Sequence, residues 1–279
     1  MTLVSIGDQV EEGIYPFHSR FHRAVNFRRD DLLISVVNEE IGPGPLNIVV
    51  HDLDAGPSCS WAAPLEVRTR TIVFGKRQFQ FTDDHYYHSI VAVDSCNPRL
   101  FQRNLSVFGE QLTTMSPAKS LAFLLDEKRT RNFRPGFERA FVGQVRRGVH
   151  QIMNGNLLNG VRSLKGCGMG LTPSGDDFIA GLLIGLNLLQ QLRGRDYRKT
   201  ADAVFETAKG GNAFSNSFLD LARRGLFFGR MKDLVLALVR DSEQAVRKST
   251  ERLLAIGASS GADLGTGFFM TVRGQMGTL

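Results

Sequence analysis

The hydrophobic pattern of this chain changes once, near residue 100, and that change restricts the folds it can adopt. Before it, short runs rich in Val, Ile and Phe are separated by turn residues such as Gly-Pro-Gly-Pro at 42–45. Residues 78–81 alternate polar and apolar, which is the period of a half-buried strand. Because the connections are too short for crossover helices, we expect mostly antiparallel strands, in a sheet or a small barrel. The predicted strands cover 21–27, 32–37, 47–53 and 65–81.

After the change, apolar residues recur at helical spacing. They fall every four positions from Phe137 to Val149, which predicts an amphipathic helix. Ser116 with Pro117 predicts a helix start before 118–127, and Ser242 predicts one before 243–256. Further helices are predicted at 178–189, 202–209, 215–227 and 231–239. The chain is therefore predicted to be an α+β protein, with a β-rich domain at 1–105 and a helical domain at 106–279.

Composition excludes several classes of protein. With 279 residues, 42% of them hydrophobic, the chain is long enough for a substantial core and is not disordered. The net charge is +6, but no basic run reaches five residues, so we expect no nucleic-acid binding. The most apolar run, 178–189, is shorter than the roughly 20 residues of a membrane-spanning helix. We expect that run to be a buried core helix and the protein to have no membrane segment.

Cysteine usage and the N-terminus predict a cytoplasmic protein. Cys59, Cys96 and Cys167 are far apart and form no C-x-x-C pair, so neither a zinc knuckle nor a redox pair is predicted. Three thiols in a chain of this size suit a reducing compartment. The first ten residues include Asp8 and lack an apolar core, so they do not resemble a signal peptide.

A glycine-rich loop is the most informative stretch for function. Gly166, Gly168 and Gly170 alternate with other residues, and Thr172 and Pro173 then form an N-cap and first-turn pattern before the apolar run. A loop of this kind presents unpaired N–H groups and the positive end of a helix dipole, which together hold phosphate or carboxylate. The alternative is a tight turn in which the aspartates at 176 and 177 only complement the dipole.

The start of that helix is repeated near the C-terminus. Residues 174–181 and 260–267 share the pattern S-G-x-D-x-x-x-G. If the match is not chance, two similar helix N-termini face one cleft and each supplies a serine, backbone N–H groups and an aspartate. Such a cleft holds either an anion between two dipoles or a Mg²⁺ ion that Asp177 and Asp263 bridge to a phosphate. The residues do not decide between these, and no metal ligand set is assigned because His85 and His88 lack a third ligand.

Three motifs together resemble a known bacterial family. They are the runs 168–177, 215–225 and 253–263. The family that they resemble was long catalogued as one of unknown function. It includes a subunit of oxamate carbamoyltransferase from anaerobic allantoin (purine) catabolism. The resemblance spans about residues 160–270, whereas residues 1–110 match only in their β-rich character. It implies that oxalurate and phosphate are converted into oxamate and carbamoyl phosphate by an assembly that contains other protein subunits.

That reaction implies roles for the candidate residues. Phosphate would meet the glycine loop, and the aspartates would organise the loops, bind a cation or move protons. Arg223 or Arg224 would meet a carboxylate, unless each is a solvated surface residue. The candidate catalytic residues are Asp176, Asp177 and Asp263. The candidate ligand-binding residues are Gly168, Gly170, Thr172, Ser174, Gly175, Ser215, Ser217, Ser260 and Gly261, with Ser215 or Ser217 also the expected N-cap of its helix.

Two other functions remain open at this point. In one, the chain is a non-catalytic interaction subunit whose repeated motifs only cap packed helices. In the other, it binds a small anionic metabolite without turning it over. In every case the expected partners are a small anion and other protein subunits, and no cofactor is assigned except Mg²⁺ as an alternative to a metal-free site.

Overall fold

The computed structural model describes residues 1–53, 63–93 and 95–274. Cys59 lies outside the described residues. The chain forms two compact units. The first contains Met1–Ile90 together with Leu226–Gly229, and the second contains Val91–Gly225 and Arg230–Leu279.

The first unit consists of two sheets. Its strands are β1 (Thr2–Gly7), β2 (Gly13–Tyr15), β3 (Phe17–Phe21), β4 (Ala24–Arg29), β5 (Leu32–Val37), β6 (Asn47–His51), β7 (Leu65–Arg68), β8 (Thr71–Phe74), β9 (Arg77–Gln80) and β10 (Tyr86–Tyr87). One sheet has the order β10-β1-β6-β5-β4-β3 and the other β2-β7-β8-β9. The β1–β10 and β5–β6 pairs are parallel, and the other described ladders are antiparallel. The prediction of mostly antiparallel sheet is confirmed, and among the described strands neither sheet closes into a barrel.

Local sequence explains most of these strands. The β5 strand has the predicted bounds, and the run 65–81 is three strands because turns interrupt it at 69–70 and 75–76. The predicted strand 21–27 is instead divided between two strands, since His22 and Arg23 form the turn of the β3–β4 hairpin. Phe27 of the larger sheet and Phe74 of the smaller one pack edge to face with ring centroids 5.6 Å apart. This buried contact joins the two sheets into one core.

A short segment from far along the chain completes the first unit. The N–H of Phe227 donates to the Ser89 carbonyl at 3.0 Å, and the Tyr87 hydroxyl donates to the Phe227 carbonyl at 2.8 Å. Gly229 N–H donates to the Pro43 carbonyl at 2.8 Å. The predicted helix 215–227 therefore ends early, at Arg223, because the next residues leave the helix and pair with the β-rich unit.

The second unit is helical, as predicted. Its helices are α1 (Pro98–Met115), α2 (Phe137–Met153), α3 (Leu157–Leu164), α4 (Ser174–Arg193), α5 (Arg198–Ala208), α6 (Ala213–Arg223), α7 (Gly229–Arg240), α8 (Glu243–Leu254) and α9 (Ser260–Val272). Ser242 caps α8 as predicted, accepting from the Ala245 N–H at 3.4 Å. The α1 helix spans residue 105, so the division into folding domains at 105 stays a prediction. Among the helices described here, none combines the length and apolar character needed to cross a membrane.

The helix predicted at 118–127 is absent. Ser116 is the C-cap of α1, and short 3₁₀ helices cover Leu121–Leu124 and Glu127–Asn132. The Arg129 guanidinium donates to the carbonyls of Ser116 and Pro117, at 2.5 and 2.7 Å. Because those carbonyls would have accepted the first α-helical hydrogen bonds, the arginine competes directly with the predicted helix.

The α4 and α9 helices form the centre of the second unit. Both are buried along most of their length. A Cβ at Gly181 would lie 2.0 Å from the Leu264 carbonyl oxygen, and one at Gly267 would lie 2.1 Å from the Phe178 carbonyl oxygen. Near the other end, a Cβ at Gly185 would lie 2.8 Å from a Thr271 side-chain atom. Just before α4 and at the start of α9, the Thr172 and Ser260 hydroxyls lie 3.4 Å apart. With contacts at both ends, α4 and α9 run in the same direction and their N-termini lie together.

We predict that Gly181→Ala lowers the free energy of unfolding by about 2 to 3 kcal/mol, because the new methyl group would push two helix backbones apart. Gly143→Ala is the matched control, since Gly143 lies inside α2 and its Cβ would meet only the Arg147 side chain, at 3.5 Å. That substitution should stabilise the protein by about 0.5 to 1 kcal/mol through helix propensity alone. Urea denaturation of both variants measures the difference, and equal effects would contradict backbone contact.

Candidate functional site

The loop before α4 depends on its glycines, as the sequence predicts. Gly166, Gly168 and Gly170 have φ angles of 66°, 119° and 116°, a region that L side chains rarely adopt. A Cβ at Gly168 would lie 2.8 Å from the backbone nitrogen of Ser174. Among the described residues, a Cβ at Gly170 would meet only the Thr172 carbonyl, at 3.6 Å. Gly168 is therefore needed for close approach to the start of α4, whereas the space beside Gly170 is open to a ligand.

The predicted N-cap at Thr172 is wrong. Pro173 is the N-cap and α4 begins at the next residue, because the ψ angle of Pro173 is extended, at 145°. The Pro173 carbonyl accepts the N–H groups of Asp176 and Asp177 at 2.9 and 3.0 Å. The Thr172 hydroxyl instead lies 3.4 Å from the hydroxyl of Ser260, at the start of α9.

The repeated sequence pattern is a structural repeat. A Cβ at Gly175 would lie 1.9 Å from the Leu164 carbonyl at the end of α3, and one at Gly261 would lie 1.9 Å from the Leu253 carbonyl in the last turn of α8. The mutual contacts of α4 and α9 at Gly181 and Gly267 also match one another. The α3–α4 and α8–α9 pairs are therefore two copies of one helix–loop–helix arrangement, related by approximate two-fold symmetry.

The two copies exchange side-chain contacts at their N-termini. The Asp177 carboxyl group interacts with the Ser260 and Thr172 hydroxyls, and the Asp263 carboxyl group interacts with the Ser174 hydroxyl. Each aspartate thus meets the first serine of the other helix. The hydroxyl-bearing residues Thr172, Ser174 and Ser260 are half-buried. The structure brings together the two S-G-x-D motifs that the sequence singled out.

Asp263 has two further partners that fix its position. Its Oδ1 accepts the backbone N–H of Leu121 at 2.6 Å, and its Oδ2 accepts the Ser259 hydroxyl at 2.8 Å. Leu121 opens the 3₁₀ helix Leu121–Leu124, which packs against α9. Asp263 thereby ties this connection to the start of α9.

Burial controls the charge of both carboxyl groups. Asp177 is 2% exposed and Asp263 is 0% exposed. Burial raises the pKa of Asp263 to about 6, against hydrogen bonds from Leu121, Ser174 and Ser259 that lower it. Burial also raises the pKa of Asp177 well above its usual range, and the negative charge of Asp263 raises it further. Near neutral pH this pair therefore has less negative charge than two ionised aspartates.

Three candidate residues act in packing. Asp176 is buried, and its Oδ1 accepts the Gly166 N–H at 2.7 Å, which holds the glycine loop against α4. Gly175 and Gly261 have no space at Cα for a ligand, and their N–H groups donate to backbone carbonyls inside the fold. Close packing against these carbonyls therefore explains why glycine is required at positions 175 and 261, and no contact with a ligand is needed.

The start of α6 also contacts the glycine loop. Asn212, not Ser215 or Ser217, is the N-cap, and its Oδ1 accepts the N–H groups of Phe214 and Ser215. Its Nδ2 donates to the Leu171 carbonyl at 2.7 Å. The Ser215 hydroxyl is buried without a hydrogen-bond partner among the described residues. Ser217 is half-buried on α6, and within the described ranges it makes no hydrogen bond to the other candidate residues.

The two candidate arginines form ion pairs with aspartates, and Cys167 in the glycine loop is buried. Arg223 forms ion pairs with Asp202 and Asp220 at 2.6 and 2.5 Å, and Arg224 pairs with Asp220 at 3.5 Å. Burial and then the charge of Asp176 raise the pKa of the Cys167 thiol, so this cysteine is not activated as a nucleophile.

The described residues contain no cluster of three His, Cys, Asp or Glu side chains that could hold a metal ion. A cation between Asp177 and Asp263 would have to compete with the N–H and O–H donors that already bind Asp263.

Sequence reasoning missed three members of this site. Ser259 directly precedes the second S-G-x-D motif, and Asn212 directly precedes the polar run at 213–217, so both had a local signal as N-caps. Leu121 had no such signal, because it contributes only its backbone N–H.

We predict that the free energy of unfolding falls as pH rises from about 4 to about 6, in part because of Asp263. Its pKa rises from 3.8 to about 6 on folding, so in this range the folded state binds more protons than the unfolded state, and raising the pH favours unfolding. The contribution from Asp263 is about 3 kcal/mol.

Asp263→Asn should remove this part of the pH dependence, and Asp177→Asn should also reduce it, because burial raises the pKa of Asp177 too. Urea denaturation from pH 4 to 8 measures both differences from the wild type. Asp84→Asn, an exposed position, controls for the change in net charge. Parallel stability curves for all four proteins would show that the buried aspartates do not bind protons as expected.

The comparisons with known proteins match the region that contains this site. Residues 164–272 match the sequence model of the family described as oxamate carbamoyltransferase subunit AllH. The match runs from the last residue of α3 to the last residue of α9, so it includes both S-G-x-D motifs. No solved structure matches the chain. The resemblance predicted from the motifs is confirmed: residues 164–272 of this chain are similar to the family of oxamate carbamoyltransferase subunit AllH.

Proposed function

We propose that this chain supplies a small-anion site to an oxamate carbamoyltransferase, in which it works with partner subunits. Phosphate and the phosphate group of carbamoyl phosphate are the proposed anions, and oxalurate and oxamate are the proposed organic substrates. The observation that carries the proposal is the meeting of the α4 and α9 N-termini around the half-buried hydroxyls of Thr172, Ser174 and Ser260. The cytoplasmic location, the role in allantoin catabolism and the absence of nucleic-acid binding stay predictions.

Two helix N-termini side by side favour an anion. Each helix end has an effective positive charge of about half a unit, and parallel packing places two of them together. The loop at Gly170 lets a ligand approach the backbone, and the nearby residues Met169 and Leu171 are exposed. Hydroxyl groups donate hydrogen bonds to phosphate oxygens without adding a competing charge. The site therefore supplies dipoles, backbone and hydroxyl donors for one small anion.

The raised pKa values of the aspartates resolve a conflict in this arrangement. Two ionised carboxylates next to a phosphate would repel it, whereas protonated carboxyl groups do not. Burial raises the pKa of both Asp177 and Asp263, so the pair repels an anion less than two carboxylates with ordinary pKa values would. This argument supports the metal-free form of the site over a Mg²⁺ bridge.

The same carboxyl groups suit carbamoyl transfer. A phosphate oxygen attacks the carbamoyl carbon of oxalurate, and the bond from that carbon to the imide nitrogen breaks. The proton lost by phosphate goes to the departing nitrogen, which gives oxamate and carbamoyl phosphate. A carboxyl group with a pKa raised toward neutrality can relay that proton in either direction. The anion site positions phosphate for the attack.

A second candidate function is a scaffold subunit, and the packing roles of Asp176, Gly175 and Gly261 favour it. In that case the repeated motif serves helix packing, and catalysis takes place on partner subunits. Phosphate binding distinguishes the two functions, because a chain that is only a scaffold does not bind phosphate.

We predict that phosphate and carbamoyl phosphate raise the melting temperature of the purified full-length chain. Ligand at a hundred times its dissociation constant should add about 2.7 kcal/mol to the free energy of unfolding. Ser260→Ala should weaken phosphate binding about tenfold, the effect of losing one hydrogen bond of about 1.4 kcal/mol to a charged ligand. Ser106→Ala on α1 is the matched control and should bind phosphate like the wild type, since the Ser106 hydroxyl donates to the Gln102 carbonyl within the same helix.

Thermal shifts with each anion, with and without Mg²⁺ or EDTA, separate the candidate functions. Stabilisation that EDTA does not reduce supports the metal-free anion site. Stabilisation that appears only with Mg²⁺ supports the cation bridge. If neither phosphate nor carbamoyl phosphate shifts the transition of the wild type, the scaffold function replaces the proposal.

A further inference from the structure

The two aspartates of the structural repeat are not equivalent. Asp263 uses both carboxyl oxygens, since Oδ1 accepts the Leu121 N–H at 2.6 Å and Oδ2 accepts the Ser259 hydroxyl at 2.8 Å. Asp177 interacts with two hydroxyls, one from Thr172 in its own copy and one from Ser260 in the other copy. However, Asp177 Oδ2 has no hydrogen-bond partner among the described residues, although Asp177 is only 2% exposed.

The difference comes down to one backbone donor. On the α9 side, the chain enters the 3₁₀ helix Leu121–Leu124 and points the Leu121 N–H at Asp263. In the part of the chain that the structure describes, no backbone N–H takes the same place at Asp177. Buried carboxyl oxygens without a partner are rare in folded proteins, because each one has lost its hydrogen bonds to water and forms none with the protein. A ligand that brings a donor to Asp177 Oδ2 would restore the symmetry of the repeat.

We propose that Asp177 contacts the substrate and Asp263 does not: an amide or ureido N–H of the substrate donates to Asp177 Oδ2, in the place that the Leu121 N–H occupies at Asp263. The inference rests on the proposed function and assigns the two aspartates different roles within it. Asp177 is then a catalytic residue, and Asp263 is a positioning residue that holds α9 and the neighbouring 3₁₀ helix. Because Asp177 is buried, the ligand reaches Oδ2 by displacing the Thr172 and Ser260 hydroxyls or by moving the glycine loop.

This contact places the carboxyl group where carbamoyl transfer needs it. When the amide nitrogen of oxamate attacks the carbamoyl carbon of carbamoyl phosphate, a C–N bond forms and the carbon–oxygen bond to phosphate breaks. The nitrogen loses one proton to Oδ2 of Asp177 in its ionised form, and the departing phosphate takes up that proton. The opposite direction uses the same contact, with the carboxyl group returning the proton to the nitrogen. A peptide N–H and a primary amide N–H are the same kind of donor. The Leu121 N–H bond to Asp263 is therefore a model, within this protein, for the proposed bond from the substrate amide to Asp177.

The experiment compares two ligands that differ only in the donor. Oxamate and pyruvate have the same charge and nearly the same shape, but pyruvate has a methyl group in place of the amide NH₂. Calorimetric titrations of each into the full-length chain, with saturating phosphate, measure the preference. We expect the wild type to bind oxamate at least tenfold more tightly than pyruvate. Asp177→Leu should reduce this preference to about one or invert it, because an apolar group then faces the amide.

Asp263→Asn is the matched control. It should weaken both ligands by a similar factor and change the ratio of their dissociation constants less than threefold, because it acts through the position of α9. If Asp177→Leu does not fold, as judged by its helix content, Asp177→Asn replaces it and should lower the preference at least fivefold. In the complex with partner subunits, Asp177→Asn should lower kcat at least a hundredfold, whereas Asp263→Asn should act mainly on KM.

The outcomes separate this inference from the proposed function. If phosphate stabilises the chain but the wild type binds oxamate and pyruvate equally, or the Asp177 variants keep the wild-type preference, Asp177 has no substrate contact while the anion site stands. If the Asp263 variant loses the preference instead, the two roles are reversed and the inference is wrong. If neither phosphate nor oxamate binds the wild type, both the proposed function and this inference fail.

Discussion

The rest of the second unit depends on the backbone contact between α4 and α9. At Gly181 and Gly267 the two helices approach so closely that a single methyl group would collide with a carbonyl oxygen of the neighbouring helix. Contacts near both ends, between Thr172 and Ser260 and between Gly185 and Thr271, show that the helices are parallel, so two positive helix ends lie side by side. That arrangement is unfavourable unless negative charge or hydrogen-bond acceptors compensate it. The buried carboxyl groups of Asp177 and Asp263 provide this compensation, and a bound anion would extend it.

The two-fold relation between the helix pairs explains both what is shared and what differs at the site. Each copy places a glycine under a helix end, a serine at the first turn and an aspartate one turn on. The surrounding chain then breaks the symmetry, because only Asp263 receives the Leu121 N–H. A purely structural pair would be expected to satisfy both carboxyl groups in the same way. The copy without an internal donor is where a substrate donor is most useful.

Sequence patterns predicted much of this arrangement but not its final detail. The repeated S-G-x-D-x-x-x-G pattern was sufficient to predict two similar helix N-termini, since serine, glycine and aspartate each have a local physical role there. Helix 118–127 was predicted wrongly because Arg129, which is distant from its N-terminus in sequence, takes the carbonyls of Ser116 and Pro117. The Leu121 N–H donor could not be predicted from the sequence for a related reason. Backbone groups and long-range competition leave no mark on local composition, so the asymmetry of the two aspartates needs the structure.

The buried carboxyl groups link stability to chemistry. Burial raises the pKa of Asp263 to about 6 and that of Asp177 well above its usual range. An ionised carboxylate is destabilising in that environment, so the contribution of these two groups to stability falls as rising pH removes their protons. A proton relay also benefits from a raised pKa, because a carboxyl group with an ordinary pKa has almost no proton to donate at neutral pH. Packing alone would be served equally well by an uncharged side chain of similar size. Two buried aspartates at one pair of helix ends therefore favour a site that exchanges protons over one that only joins helices.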